Sequence, residues 1–201
     1  MAEISKTPPK EYLEHLKHSE GTLNVVYKDS LGLATGGTGH LMTDADKKLY
    51  GIDDSTIYKE IMTKYGIRKA ATDKEGNIIK LDKEVTDAWL KNDSDKYYKT
   101  GRSWAKELGI EDQNIVNALS EVSFQFPAFK SKMPSAWEAM KTGNTEEAIR
   151  QIKFSSGIEG TKKSSWYTQT PQRVEDLSAA LRLYSLKKDR MSIKPDDAVI
   201  D

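Results

Sequence analysis

Glu20-Gly21-Thr22-Leu23-Asn24-Val25-Val26-Tyr27-Lys28-Asp29-Ser30-Leu31-Gly32-Leu33-Ala34-Thr35-Gly36-Gly37-Thr38-Gly39-His40-Leu41 is the stretch on which the reading of the chain turns. It opens with a carboxylate at the end of a helical pattern and runs through two short strand patterns. A second carboxylate, Asp29, stands at the turn between them, and Thr35 follows on the return strand. Glycines inside a strand pattern mark a bulge or a close backbone approach. Taken singly, each polar residue has an ordinary use: Glu20 as a solvated helix-end charge, Asp29 as turn chemistry, Thr35 as a strand former, His40 as a structural histidine. As a set, two carboxylates and a hydroxyl on such a scaffold are the parts that glycoside hydrolysis needs. One acid protonates the leaving oxygen, and the other activates a water or attacks the sugar.

Toward the N-terminus, Thr7-Pro8-Pro9 reads as a helix start, with Thr7 as cap and Pro8 as first residue. Tyr12, Leu13 and Leu16 form its apolar stripe, and Gly21 ends it. Glu20 then falls in the last turn, where the negative end of the helix dipole is an unfavourable place for a bare carboxylate.

In the other direction, residues 23–41 read as an antiparallel hairpin or three-stranded sheet. Asp54-Ser55 reads as the cap of a second helix through about Tyr65, with Ile57, Ile61 and Met62 on one face. Lys74-Glu75-Gly76-Asn77 is a turn and Ile78-Ile79 a brief extended piece. Asp82 starts a long helix with Val85, Trp89, Leu90 and Tyr97 at core spacing. Asp112 caps the next helix, which ends at Phe124-Gln125-Phe126-Pro127 because the residue before a proline disfavours the helical region. Trp137 and Met140 mark a short helix closed by Gly143, and Asn144-x-x-Glu147 is a capping box for another. A polar loop spans 155–165. Thr170 and Pro171 open a last helix through about Lys188, with Val174, Leu177, Leu181 and Tyr184 facing inward. The polar tail from Asp189 to Asp201 is expected to be mobile or laid on the surface.

With 201 residues, 37% hydrophobic and 31% charged, the chain reads as a soluble, rather polar globular protein. The layout is 1–81 as an N-terminal helix and small α+β lobe, 82–188 as a connecting helix and helical lobe, and 189–201 as a tail, one domain overall. No apolar run is long enough to span a membrane, and the first residues lack the apolar core of a secretory signal. The absence of cysteine excludes disulfides and a thiolate nucleophile, and suits a reducing cytoplasm. Thirty-one basic against 31 acidic residues give no global steering toward nucleic acid or anionic membranes. No His/Cys/carboxylate cluster has metal-ligand spacing, so neither a metal nor an organic cofactor is implied.

The string Glu-Gly, Tyr-Lys-Asp, Gly, Thr, Gly-x-Gly-His-Leu resembles the catalytic hairpin of phage-type lysozymes, glycoside hydrolase family 24, and in particular those of T-even bacteriophages. Ser165-Trp166-Tyr167-Thr168-Gln169-Thr170-Pro171-Gln172-Arg173 is similar to a second segment of the same family. The resemblance runs from about Glu11 to about Tyr184 and is dense in these two signatures. It implies an α+β lysozyme-like fold: a small lobe with a short antiparallel sheet, a long connecting helix, a mainly helical C-terminal lobe, and a cleft between the lobes. It implies Glu20 as general acid, Asp29 as the residue that positions or activates water, and Thr35 as a holder of that water. It further implies Leu41, Phe124, Gln125 and Ser135 as substrate contacts, Arg173 as partner of Glu20, and His40 paired with Asp93. Gly36 departs from the pattern, standing where relatives carry a larger apolar residue, which suggests a looser strand.

The activity so implied is hydrolysis of the β-1,4 bond between N-acetylmuramic acid and N-acetylglucosamine in bacterial peptidoglycan, with inversion, by a monomer that binds no nucleic acid. The protein would be an endolysin held in the host cytoplasm before it reaches the wall, or a virion-associated lysin. Two rivals differ in kind. A lytic transglycosylase uses a single acid/base and needs neither Asp29 nor Thr35; a non-enzymatic wall-binding or virion protein needs none of the three.

Overall fold

The computed structural model describes residues 4–154 and 162–192. The architecture is α+β, in two compact units: Pro8–Lys96, and Met1–Thr7 together with Tyr97–Asp201. The element order is helix, antiparallel sheet, one long helix, then helices alone, the order that the resemblance implies.

The first unit begins with α1 (Lys10–Glu20). Thr7 does not cap it, and Pro8 is not its first residue. The cap position is Pro9, extended at φ −64° and ψ 154°, with no side-chain hydrogen bond. Two consecutive prolines explain the shift, because the ring of Pro9 disfavours a helical Pro8. The helix buries Tyr12 and Leu16 and ends at Gly21, φ 71°.

The sheet contains β1 (Leu23–Lys28), β2 (Ala34–Gly37), β3 (His40–Leu41), β4 (Tyr58–Thr63) and β5 (Gly66–Ala71), in the order β3-β2-β1-β5-β4, every pair antiparallel. The helix expected from Asp54 to Tyr65 is therefore a strand, half of a tight hairpin. Gly66, at φ 93°, makes the turn after Thr63, and Met62 faces Ile67 across it. Ile57, Met62 and Ile67 are 65%, 77% and 58% exposed, so their spacing marks no buried helical face. Between β3 and β4 lies α2 (Asp44–Tyr50), which buries no side chain and so left no apolar period in the sequence. A reciprocal box, Thr43 with Asp46, starts it.

Val26, Met42, Ile52, Ala71 and Leu81 form the core of this unit, with Trp89 packed on it. Gly36 does not loosen the sheet. A Cβ there would stand 2.6 Å from Leu81 and 2.9 Å from the Trp89 ring, so the large residue absent from β2 is replaced by an indole arriving from the long helix.

That helix, α3 (Lys83–Glu107), carries the chain into the second unit. There follow α4 (Gln113–Gln125), α5 (Phe129–Lys132), α6 (Pro134–Lys141), α7 (Thr145–Lys153), α8 (Ser165–Gln169) and α9 (Pro171–Ser192). Asp112 caps α4 through the N–H groups of Asn114 and Ile115. Asn144 accepts from the N–H of Glu147, but the Glu147 carboxylate turns to Arg150 and Gln151 instead of completing the box. Phe129, fully buried, is ringed by Trp104, Trp137, Trp166 and Phe126. Ser164 caps α8, so Ser164 and Ser165 belong to that helix and not to the expected loop; 155–161 lie outside the described residues. Helix α9 continues through Asp189 to Ser192, into the expected tail, and 193–201 lie outside the described residues. Among the described residues no helix is long and apolar enough to cross a membrane.

Candidate functional site

Glu20 is the last residue of α1, half-buried, and the turn after it is sealed from outside the helix. A Cβ on Gly21 would meet the Tyr65 ring at 2.5 Å, and the Thr22 N–H donates to the Tyr65 hydroxyl at 3.2 Å. Tyr65 comes from the β4–β5 turn. The direction in which α1 delivers Glu20 is thus fixed by the hairpin that the sequence disguised as a helix.

Asp29 divides its carboxylate. Oδ1 accepts from the N–H groups of Leu31 at 2.8 Å and Leu33 at 2.9 Å, while its backbone N–H donates to the Leu33 carbonyl at 3.0 Å. This is the turn use that Asp-Ser chemistry announces. Oδ2 takes no hydrogen bond from any described residue. One oxygen builds the turn, and the other is held in a set direction by it.

Thr35 is 3% exposed, and its hydroxyl donates to the Leu33 carbonyl at 3.2 Å. With its proton committed, the oxygen offers lone pairs. Register places Thr35 opposite both Tyr27 on β1 and Leu41 on β3, and Tyr27 opposite Ala70 on β5. Directly opposed residues share a face, so Leu41, Thr35 and Tyr27 line one side of the sheet; Leu41 is 54% exposed there. Burial pushes the Tyr27 phenol up; Arg68 works against this, and the nearby charges of Glu20 and Asp29 reinforce it. Tyr27 therefore lies within electrostatic reach of both candidate carboxylates.

On the opposite side of β2 and β3, His40 Nδ1 lies 2.7 Å from Asp93 Oδ2 and Nε2 lies 3.2 Å from Asp46 Oδ2. The ring stacks on Trp89 at 4.3 Å. A neutral imidazole carries one N–H, so one carboxylate would face a lone pair; the imidazolium satisfies both. Burial pulls the His40 pKa down, but hydrogen bonds to Asp93 and Asp46 outweigh it and leave the pKa raised. Burial likewise opposes ionisation of Asp46, but hydrogen bonds from Thr43 and His40 hold its pKa below the usual carboxylate value.

The second unit holds the remaining candidates. Phe124 packs edge-on against Tyr97 at 4.8 Å, and Gln125 is the final residue of α4. Ser135 lies exposed in the first turn of α6. Arg173 Nη1 donates to Glu121 Oε1 at 3.0 Å, and both side chains are about nine-tenths buried. Glu121, Gln125, Trp166 and Arg173 line a small cavity of about 10 Å³, no more than one water could fill. Trp166 Nε1 finds no acceptor among the described residues.

Four of these residues escaped the sequence reading. Tyr27 was quoted within the signature but given no role. Asp46 sits at the third position after Thr43, a capping spacing. Glu121 follows Ala118 by three on the inward face of α4, and a carboxylate on an apolar stripe is itself a signal. Arg68 lies in the segment after the misread helix and had no signal.

No family model matches the sequence. It is similar to a viral cell-wall enzyme. The peptidoglycan hydrolase gp36 of Pseudomonas phage phiKMV is 30% identical over 87 residues. Those residues are 43% of this chain and 9% of that much longer protein.

Proposed function

We propose that the protein is a lysozyme: a glycoside hydrolase that cuts the β-1,4 bond between N-acetylmuramic acid and N-acetylglucosamine in peptidoglycan, with inversion. The observation that carries this is the divided carboxylate of Asp29, one oxygen in the turn and the other without a partner among the described residues. The local likeness to a phage peptidoglycan hydrolase supports the substrate class.

In this reading Glu20 gives its proton to the glycosidic oxygen as the bond to the anomeric carbon breaks. A water donates one hydrogen to Asp29 Oδ2 and the other to Thr35 Oγ1, whose own proton is spent on Leu33. Its lone pair then points at the opposite face of the sugar, and Asp29 takes the proton as the new C–O bond forms. Glu20 ends ionised and Asp29 protonated, and exchange with solvent resets both. The resemblance adds Leu41, Phe124, Gln125 and Ser135 as glycan contacts and Arg173 as the partner of Glu20. It also suggests a phage endolysin or virion-associated lysin acting as a monomer.

The test is the first-released sugar, followed by NMR on purified peptidoglycan before mutarotation. The α-anomer is expected. Release of the β-anomer would make Asp29 a nucleophile, and an anhydro end would make the enzyme a transglycosylase.

A further inference from the structure

Strands β1 and β5 pair Tyr27 with Ala70 and Lys28 with Lys69. Continuing that register by one position sets Arg68 opposite Asp29. Arg68 also stands two residues from Ala70, so it lies on the face that carries Tyr27, Thr35 and Leu41. Its charge acts on the Tyr27 phenol together with those of Glu20 and Asp29. Yet Arg68 forms no ion pair with any described residue. One guanidinium N–H donates to the Ile67 carbonyl at 3.0 Å, and no other acceptor among the described residues engages the group. A guanidinium has five donors in a planar fork shaped for a carboxylate. Here a half-buried fork beside the candidate base leaves most of that capacity unused.

We propose that Arg68 is a specificity residue of this site and binds a free carboxylate on the peptide stem of the wall polymer. The inference rests on the peptidoglycan reading above. The glycan strand itself is uncharged where its lactyl groups are joined to stems, so the anions near the scissile bond are those of the stems. From Leu41 on β3 to Arg68 on β5 the face crosses three strand spacings, about 14 Å. That is room for sugar at one end and stem at the other. Arg68 forms no ion pair with Asp29, so its fork stays open to a substrate carboxylate.

The experiment compares purified peptidoglycan with the same polymer after its carboxylates have been converted to methylamides. Both are assayed by release of reducing ends with the wild-type chain, Arg68→Met and Arg68→Lys, each checked for folding by circular dichroism. Amidation should lower the wild-type kcat/KM about tenfold, chiefly through KM, as expected for loss of a charge-assisted hydrogen bond. Arg68→Met should cleave both polymers equally, at the rate of wild type on the amidated one, and Arg68→Lys should restore part of the difference. The same sensitivity to amidation in wild type and Arg68→Met would overturn the inference. So would a folded Arg68→Met that cleaves neither polymer, since Arg68 would then serve the chemistry itself. Failure of the wild-type chain on both polymers would instead sink the peptidoglycan reading and this inference with it.

Discussion

Two aspartates in the small unit each commit one carboxylate oxygen, to different ends. Asp46 spends one oxygen on the Thr43 N–H at 2.8 Å, the Thr43 hydroxyl and His40 Nε2 at 3.2 Å. Asp29 spends Oδ1 on two backbone N–H groups and leaves Oδ2 without a hydrogen bond from any described residue. Both are turn or cap residues by sequence. The difference is in what the committed oxygen joins: that of Asp46 ties β3 to α2 and, through His40 and Asp93, to α3, whereas that of Asp29 serves its own turn and leaves Oδ2 aimed by it.

The largest expected effect lies just outside the pair. Glu20→Gln should lower turnover on peptidoglycan about 10³-fold, in the range for loss of a general acid, with an unchanged thermal midpoint. Next, Asp29→Asn should sharpen the comparison. Its amide oxygen can still accept from Leu31 and Leu33, so the fold should hold while turnover falls about 10²-fold. Asp29→Ala removes the acceptor as well and should cost a further 1–3 kcal/mol or so of stability. If the asparagine variant retained its activity, the open oxygen would have no chemical role.

The other side of the comparison breaks in stability. His40→Asn should cost about 1–3 kcal/mol and leave activity per folded molecule intact, as read from denaturant melts and specific activity. The pH dependence follows the two shifts. The contribution of His40 is complete below the ordinary histidine value near 6.5 and is lost as pH rises through its raised folded value. That of Asp46 is complete above about 3.9 and is lost as pH falls through its lowered folded value. The cluster therefore stabilises most between roughly pH 4 and 6.5, and His40→Asn should flatten the alkaline decline. The smallest effect belongs to the hairpin tip: Met62→Thr with Ile67→Thr should change stability by no more than about 0.5 kcal/mol, since both side chains already face solvent.

What the sequence disclosed depended on where the determining contact lay. The C-terminal end of α1, both ends of α4 and the starts of α7 and α9 were legible because a glycine, a capping side chain or a proline decides them locally. The turn at Asp29 was legible for the same reason. The β4–β5 hairpin was not, because its strands are read from cross-strand partners and its apolar residues are exposed, so spacing alone imitated a helix. Gly36 misled in another way. Its missing side chain looked like slack in β2 until Trp89, over fifty residues on, was seen in that space. In the candidate site, Glu20, Asp29 and Thr35 were visible through a signature, but Tyr27 and Arg68 were placed beside them only by strand register.

The Tyr65 ring over Gly21 ties two stretches of sequence that could otherwise change independently. Most of the β4–β5 hairpin is free to vary, since its outward side chains pack on little. Its tip is not. Any side chain at position 21 would strike the ring, and a tip without the tyrosine would uncover the turn and take the hydroxyl from the Thr22 N–H. A hairpin grafted here must bring an aromatic hydroxyl at that position, or α1 will deliver Glu20 along a different line. Divergence in this chain is thus coupled across more than forty residues, and an ornament on the edge of the sheet sets the aim of the acid.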